Sequence, residues 1–180
     1  MISKPYLLFL GDAKDELAIK TAAGINYWRP EWCIGQMSLP NAKSSLGINE
    51  ISLEEAVKRG AKTFVLGVVN AGGKMPEGWI DIIVKAISLG LNIASGMHSR
   101  LSSFDEISKA AIKHGVKLHD LRYNNIEFDT GKGLKRTGKR LLTVGTDCSV
   151  GKKYTALAVE KAMLEKNMKV SFKATGQTGV

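Results

Sequence analysis

The sequence predicts an α/β chain: a parallel sheet with helices on both faces, followed by a shorter strand–helix–strand unit. Three observations carry that expectation. Through residue 120, short apolar or β-branched runs alternate with amphipathic runs of about ten residues. Glycines close most of the helical runs. A basic, glycine-rich stretch then precedes a second strand, loop and helix pattern.

The elements follow in order. Pro5 to Leu10 is a compact apolar run closed by Gly11-Asp12, which predicts a buried strand. Asp15 to Ala23 predicts a helix, with Gly24 as its stop. Tyr27-Trp28-Arg29-Pro30-Glu31-Trp32 is an aromatic turn, Cys33 to Met37 a short strand, and Ser38 to Gly47 a loop. Ser52 and Glu55 form a capping box, in which each side chain satisfies a free backbone N–H, and Gly60 ends that helix. Thr63 to Val69 is a strand, Asn70 to Met75 a loop, and Pro76 opens a helix that continues through Trp79 to Leu89 and stops at Gly90. Asn92 to Ser95 is the next strand. Ser103 and Glu106 form a second capping box, and the helix runs to His114-Gly115 before a strand over Val116 to Asp120. Residues 1–121 thus read as a Rossmann-like domain of five strands. Its first turn, Leu10-Gly11-Asp12-Ala13-Lys14, lacks the Gly-x-Gly-x-x-Gly fingerprint of dinucleotide sites.

Residues 122–139 lack apolar periodicity and predict a basic linker. Residues 140–180 open a second domain. Leu141 to Val144 is its first strand, and Val170 to Ala174 its second. Between them Lys152 to Lys166 is a helix, with Tyr154, Leu157, Ala158, Met163 and Leu164 toward its inner face. Such a unit cannot cover both faces of a parallel sheet by itself, so a fragment or a partner-completed domain is expected, and self-association with it.

Composition narrows the function. The longest apolar runs are too short to span a bilayer, and the N-terminus has no signal-peptide pattern. Cys33 and Cys148 are the only cysteines, so neither a disulfide framework nor a four-cysteine zinc site exists. A cytoplasmic protein is expected. The net charge is +9; residues 1–120 carry 14 basic and 12 acidic side chains, residues 121–180 carry 12 and 5. The basic excess in the last third attracts phosphates, nucleotides, coenzyme A or nucleic acid. No aromatics interleave with the basic block, so nucleic acid lacks a stacking platform.

Gly145-Thr146-Asp147-Cys148-Ser149-Val150-Gly151-Lys152 lies between a strand and a helix, where a phosphate-binding P-loop belongs. Its backbone N–H groups, the helix N-terminus and the Lys152 ammonium all favour an anion. Two departures matter. Five residues separate the glycines where the common pattern has four, and Lys153 stands where Ser or Thr would hold magnesium. The nearest hydroxyls are Ser149 and Thr155. Phosphate binding is therefore better supported than magnesium-dependent hydrolysis, against a bland alternative of a ligand-free turn.

This loop, with Ala174-Thr175-Gly176-Gln177-Thr178-Gly179, resembles the D-glutamate N-acetyltransferase-like P-loop family, long carried as a domain of unknown function. The resemblance extends through Gly67-Val68-Val69-Asn70-Ala71-Gly72-Gly73, Pro76-Glu77-Gly78-Trp79 and Ser95-Gly96-Met97-His98, and covers nearly the whole chain. It implies an N-terminal Rossmann-like domain and a larger P-loop domain, of which this chain holds the opening. It also implies acetyl transfer from acetyl-coenzyme A to the amine of D-glutamate, with a coenzyme A phosphate on Gly151 and Lys152. The loop is similar as well to that of dethiobiotin synthetase, which shares the five-residue gap but has threonine after the lysine.

Other residues keep two readings each. Cys148 is a nucleophile or a small packing residue, and Asp147 a base or a local cap. His98 follows a strand at the edge where α/β sheets place ligands, and Gly72-Gly73 lies at the same edge. With Gly176, Gln177 and Thr178 these are the candidate substrate contacts. His114 suits a helix C-terminus, and His119 alternates within a strand; both read as structural. Trp28 and Trp32 close a small core or offer a stacking surface. Three functions remain: the acetyltransferase, an ATP- or GTP-using P-loop enzyme that would need magnesium, and a non-enzymatic polyanion-binding or assembly module.

Overall fold

The structure is a computed structural model, and it describes residues 2–69, 73–123, 133–135, 137–146 and 151–174. The chain divides into two compact units, Met1–Tyr123 and Asn124–Val180.

The first unit is organised by β1 (Tyr6–Gly11). Leu7, Leu8, Phe9 and Leu10 are all fully buried, as in a strand covered on both faces. Each contributes about 1.5–3 kcal/mol on burial. Alternation divides them: Leu7 and Phe9 join one core cluster, Leu8 and Leu10 another. Four further strands complete an all-parallel sheet: β2 (Cys33–Ser38), β3 (Thr63–Leu66), β4 (Asn92–Ser95) and β5 (Leu118–Asp120), in the order β2-β1-β3-β4-β5. Leu7 pairs with Phe64 and Phe64 with Ile93, so one apolar row crosses the central strands. That row packs on α2 (Leu53–Lys58), α3 (Ile80–Ser88) and α4 (Asp105–His114), through Ala56, Ile83, Ile87 and Ile107. On the opposite face Leu8, Leu10 and Val65 pack against Ala22 of α1 (Lys20–Trp28). The predicted Rossmann-like sheet with helices on both faces is thus present.

Several local expectations need correction. The first helix begins at Lys20 rather than Asp15, because the Asp15 carboxylate accepts from Ala18 N at 2.8 Å and holds a turn ahead of it. Gly24 lies inside that helix, which ends at Trp28; Arg29, the residue before Pro30, is its C-cap, where proline disfavours helical backbone. β3 stops at Leu66 because its continuation bonds to the start of α1: Ala22 N donates to Gly67 O at 3.1 Å, and Val69 N to Ala18 O at 2.7 Å. Only half of the first capping box forms. Ser52 Oγ accepts from Glu55 N, while the Glu55 carboxylate engages Arg59 at 2.7 Å. The second box does not form; Ser103 Oγ donates to Arg100 O at 2.7 Å, and no side chain caps α4. Pro76 precedes a 3₁₀ turn over Glu77–Trp79, from which α3 continues.

In the second unit α5 (Lys152–Glu165) forms, but the flanking segments do not pair as strands. A parallel strand is defined by its ladder, and here one backbone N–H and one side-chain hydroxyl of these segments bond to the helix. Phe172 N donates to the Glu160 carboxylate at 2.6 Å, and Thr143 Oγ1 donates to Lys152 O at 2.9 Å. The expected inner face of α5 is also corrected: Tyr154, Ala158 and Leu164 are exposed. The sheltered positions are Lys152, Ala156, Leu157, Val159, Glu160 and Met163, a stripe at helical spacing. Among the described residues no helix is long and apolar enough to cross a membrane.

Gly11 and His119 give two tests of the first unit. Gly11 has φ +54°, and a Cβ there would lie 2.3 Å from Cζ2 of buried Trp79. Gly11→Ala should lower the unfolding free energy in urea by about 1–3 kcal/mol. His119 has its pKa lowered, chiefly by burial and also by Lys117. Its Nε2 is buried with no hydrogen-bond partner among the described residues. The unfolded chain therefore binds the proton more readily, so stability is complete above the unfolded pKa of about 6.5 and falls as pH drops below it. His119→Gln should flatten that decline in melting temperature.

Candidate functional site

Chemistry-bearing residues gather in two places, one in each unit. In the first unit the sheet order reverses direction between β1 and β3, where open α/β sheets bind ligands outside the strand carboxyl ends. A cleft of about 510 Å³ opens there, floored by Val68 and buried Trp79 and bordered by Asp12, Lys14, Asp15 and Lys20. Its shape depends on close approaches. Gly11 lets Trp79 lie against the end of β1, and a Cβ on Gly67 would meet that of Ala22 at 2.5 Å.

A second cleft of about 400 Å³ lies over the ends of β3 and β4, lined by Lys20, Thr21, Gly73, Met97, His98 and Arg122, among others. Here the structure brings two predicted residues together. His98 N donates to Gly73 O at 2.8 Å, and the His98 ring lies where a Cβ of Gly73, at φ +61°, would be. The carbonyl of His98 accepts from the Tyr123 hydroxyl, over whose ring Arg100 sits at 4.2 Å. The imidazole itself is exposed to the cleft rim. His114 ends α4 before left-handed Gly115, and the Trp32 ring is covered by Tyr6 and by Lys4 Nζ at 3.9 Å, so both serve the fold.

In the second unit Gly151 precedes α5 with φ +92°, a conformation glycine adopts without strain. Among the described residues no side chain caps the helix, and its first turn carries no acidic residue, so no carboxylate there offsets the positive end of the helix dipole. Lys153 Nζ lies 5.4 Å from the Tyr154 ring. Thr155 Oγ1 donates back to Gly151 O at 3.1 Å. Gly145 and Thr146 are exposed at the other end of the loop. Asp147, Cys148, Ser149, Val150, Gly72, Gly176, Gln177 and Thr178 lie outside the described residues. Among the described residues no three His, Cys, Asp or Glu side chains converge as a metal site would require.

Two family profiles match the sequence: a Rossmann-like domain of unknown function, DUF1611_N, over residues 38–124, and the DUF1611 P-loop domain over residues 127–180. The chain belongs to the DUF1611 family. Two curated relatives named D-glutamate N-acetyltransferase are similar across this DUF1611 chain. One, from Pseudoalteromonas sp., is 54% identical over 179 residues, covering 99% of this chain and 54% of the relative. The other, from Tritonibacter scottomollicae, is 49% identical over 180 residues, covering 100% and 54%. A crystal structure of a DUF1611 family protein from Anabaena variabilis superposes with a TM-score of 0.71 at 25% identity, covering 98% of this chain and 54% of that one. The chain spans about half the length of the relatives it matches.

Lys20 and Arg122 were not legible as site residues. Neither sits in a motif, and only the return of the chain past the end of β4 brings them together. Of the two cysteines, Cys33 lies among the described residues. Burial, helped by Glu31, pushes the Cys33 thiol up to about 11. At pH 8 iodoacetamide should therefore leave Cys33 largely unmodified while it alkylates Cys148 in the P-loop, read by peptide mass spectrometry.

Proposed function

We propose that this chain forms part of a D-glutamate N-acetyltransferase whose P-loop binds the phosphates of acetyl-coenzyme A. The observation that carries the proposal is the 54% and 49% identity, over essentially the whole chain, to relatives bearing that name. The end of the loop suits a phosphate group: Gly151 turns the backbone into α5, no side chain among the described residues caps the helix, and Lys152 follows directly in sequence. The residues Gly145 to Lys153 are assigned to this role.

The reading gives magnesium weak support only. Lys153 stands at the usual hydroxyl position, and the Thr155 hydroxyl is bonded to the Gly151 carbonyl. A coenzyme A phosphate, unlike a nucleotide being hydrolysed, needs charge and N–H donors rather than a metal. The bound donor supplies an acetyl thioester. The acceptor amine attacks its carbonyl only when neutral, so a group on the enzyme must take the ammonium proton, and donors must meet the developing oxyanion. Asp147 and His98 are the candidates for the proton.

Thermal stabilisation tests the proposal. Coenzyme A and acetyl-coenzyme A at a hundredfold over their dissociation constants should each stabilise the protein by about 2.7 kcal/mol, with or without magnesium. Lys152→Ala should abolish the shift. A shift by ATP or GTP that requires magnesium, with none from coenzyme A, would replace this proposal with a nucleotide-using enzyme.

A further inference from the structure

The two clefts of the first unit lie side by side and share Lys20, Val68 and Val69, yet their charges differ. The cleft over β3 and β4 presents Lys20, Arg122 and the His98 imidazole, and among the described residues no acidic side chain lines it. Arg122 is anchored there, since its Nε donates to Gly96 O at 3.1 Å. Among the described residues no carboxylate forms an ion pair with Lys20 or Arg122; the pairs present are Arg59 with Glu55, Lys85 with Glu54 and Lys109 with Asp105. The cleft over β1 adds Asp12 and Asp15 to Lys14 and the shared Lys20. Asp15 Oδ1 accepts from Ala18 N, and the Lys14 ammonium donates to Asn41 O at 2.9 Å. Among the described residues, one end of the trough thus holds Lys20 and Arg122 without a carboxylate, and the other end holds the two carboxylates. Its floor is apolar, made by buried Leu66, Val68 and Met97.

From this we infer that the trough binds an acidic amino acid, with its carboxylates on Lys20 and Arg122 and its ammonium toward Asp12 and Asp15. An anchored guanidinium suits a planar carboxylate, to which it donates paired hydrogen bonds. A phosphate ester would answer the cationic end equally well, but it brings no ammonium for the aspartates, which repel its second charge. The first turn also lacks the glycine pattern that lets a backbone close on phosphate. The inference rests on the acetyltransferase proposal for its choice of D-glutamate as the probe, and it assigns the acceptor to residues of the Rossmann-like unit.

Calorimetric titration of the 180-residue chain tests it, with coenzyme A titrated in parallel. D-glutamate should bind, and Arg122→Gln and Lys20→Gln should each weaken it about tenfold or more, since each removes a charge-assisted hydrogen bond. Glutarate, which lacks the ammonium, should bind more weakly than D-glutamate. Asp12→Asn should weaken D-glutamate while leaving glutarate unchanged. All three side chains are exposed, so unchanged melting temperatures check that the variants fold. The inference is overturned if D-glutamate does not bind, if Arg122→Gln and Lys20→Gln bind it as tightly as the parent, or if inorganic phosphate displaces it at equal concentration. The two proposals fail separately. Coenzyme A binding without D-glutamate binding removes the trough and keeps the acetyltransferase. D-glutamate binding with these sensitivities, but without coenzyme A binding, does the reverse.

Discussion

The close approach of backbone and side chain at the ends of β1 and β3 is the constraint on which the rest of the first unit depends. Gly11 admits the Trp79 ring against the sheet edge, and Gly67 admits Ala22. With these contacts the end of β3 can leave its ladder and bond to the start of α1 through Ala22 N and Val69 N. The result holds the start of α1 over the reversal in strand order, beside the turn that carries Asp12 and Asp15. A methyl group at either glycine would collide with buried atoms that have nowhere to move. The trough therefore derives from steric permission at two positions, and its charges from exposed side chains arranged around them.

The second unit works on a different principle. α5 has no broad apolar stripe, and its most buried side chain is Glu160, which accepts from Phe172 N. A carboxylate accepting a backbone N–H in a sheltered site ties the returning segment to the helix by a directional bond. At the other end of the helix Thr143 performs a similar service, donating to Lys152 O and so holding the approach segment beside the loop's exit. These local bonds tie both flanking segments to α5. The excess of basic residues in the last third of the sequence had indicated an anion partner for this part of the chain.

Much of the first unit was legible in the sequence because its signals are local and strong. Asn92 to Ser95 reads as the next strand in a βα alternation, the Gly60, Gly90 and Gly115 stops follow from left-handed glycine, and the structure has each of them. Two of the misplaced elements share a cause: side-chain competition that spacing does not reveal. Asp15 held a turn where a helix was expected, and Ser103 bonded backward to Arg100 rather than forward to its helix. Of the candidate ligand residues, Gly73 and His98 were found because strand ends are readable, and they do meet at one cleft. Lys20 and Arg122 lie far apart in sequence, with nothing local to mark them. Leu141 to Val144 read as a strand because apolar runs resemble strands whether or not a ladder is present, and here Leu141, Leu142 and Val144 are exposed.

The central claim is that the chain binds two chemically different ligands in two different units. Hydrogen–deuterium exchange with each ligand alone tests it most directly. Coenzyme A should slow exchange in the peptides spanning Thr143 to Thr155 and leave those of the first unit unchanged. D-glutamate should slow exchange around Lys20 to Ala22 and Gly96 to His98, and leave the α5 start unchanged. Protection of the same peptides by both ligands, or of the first unit by coenzyme A alone, would contradict the account.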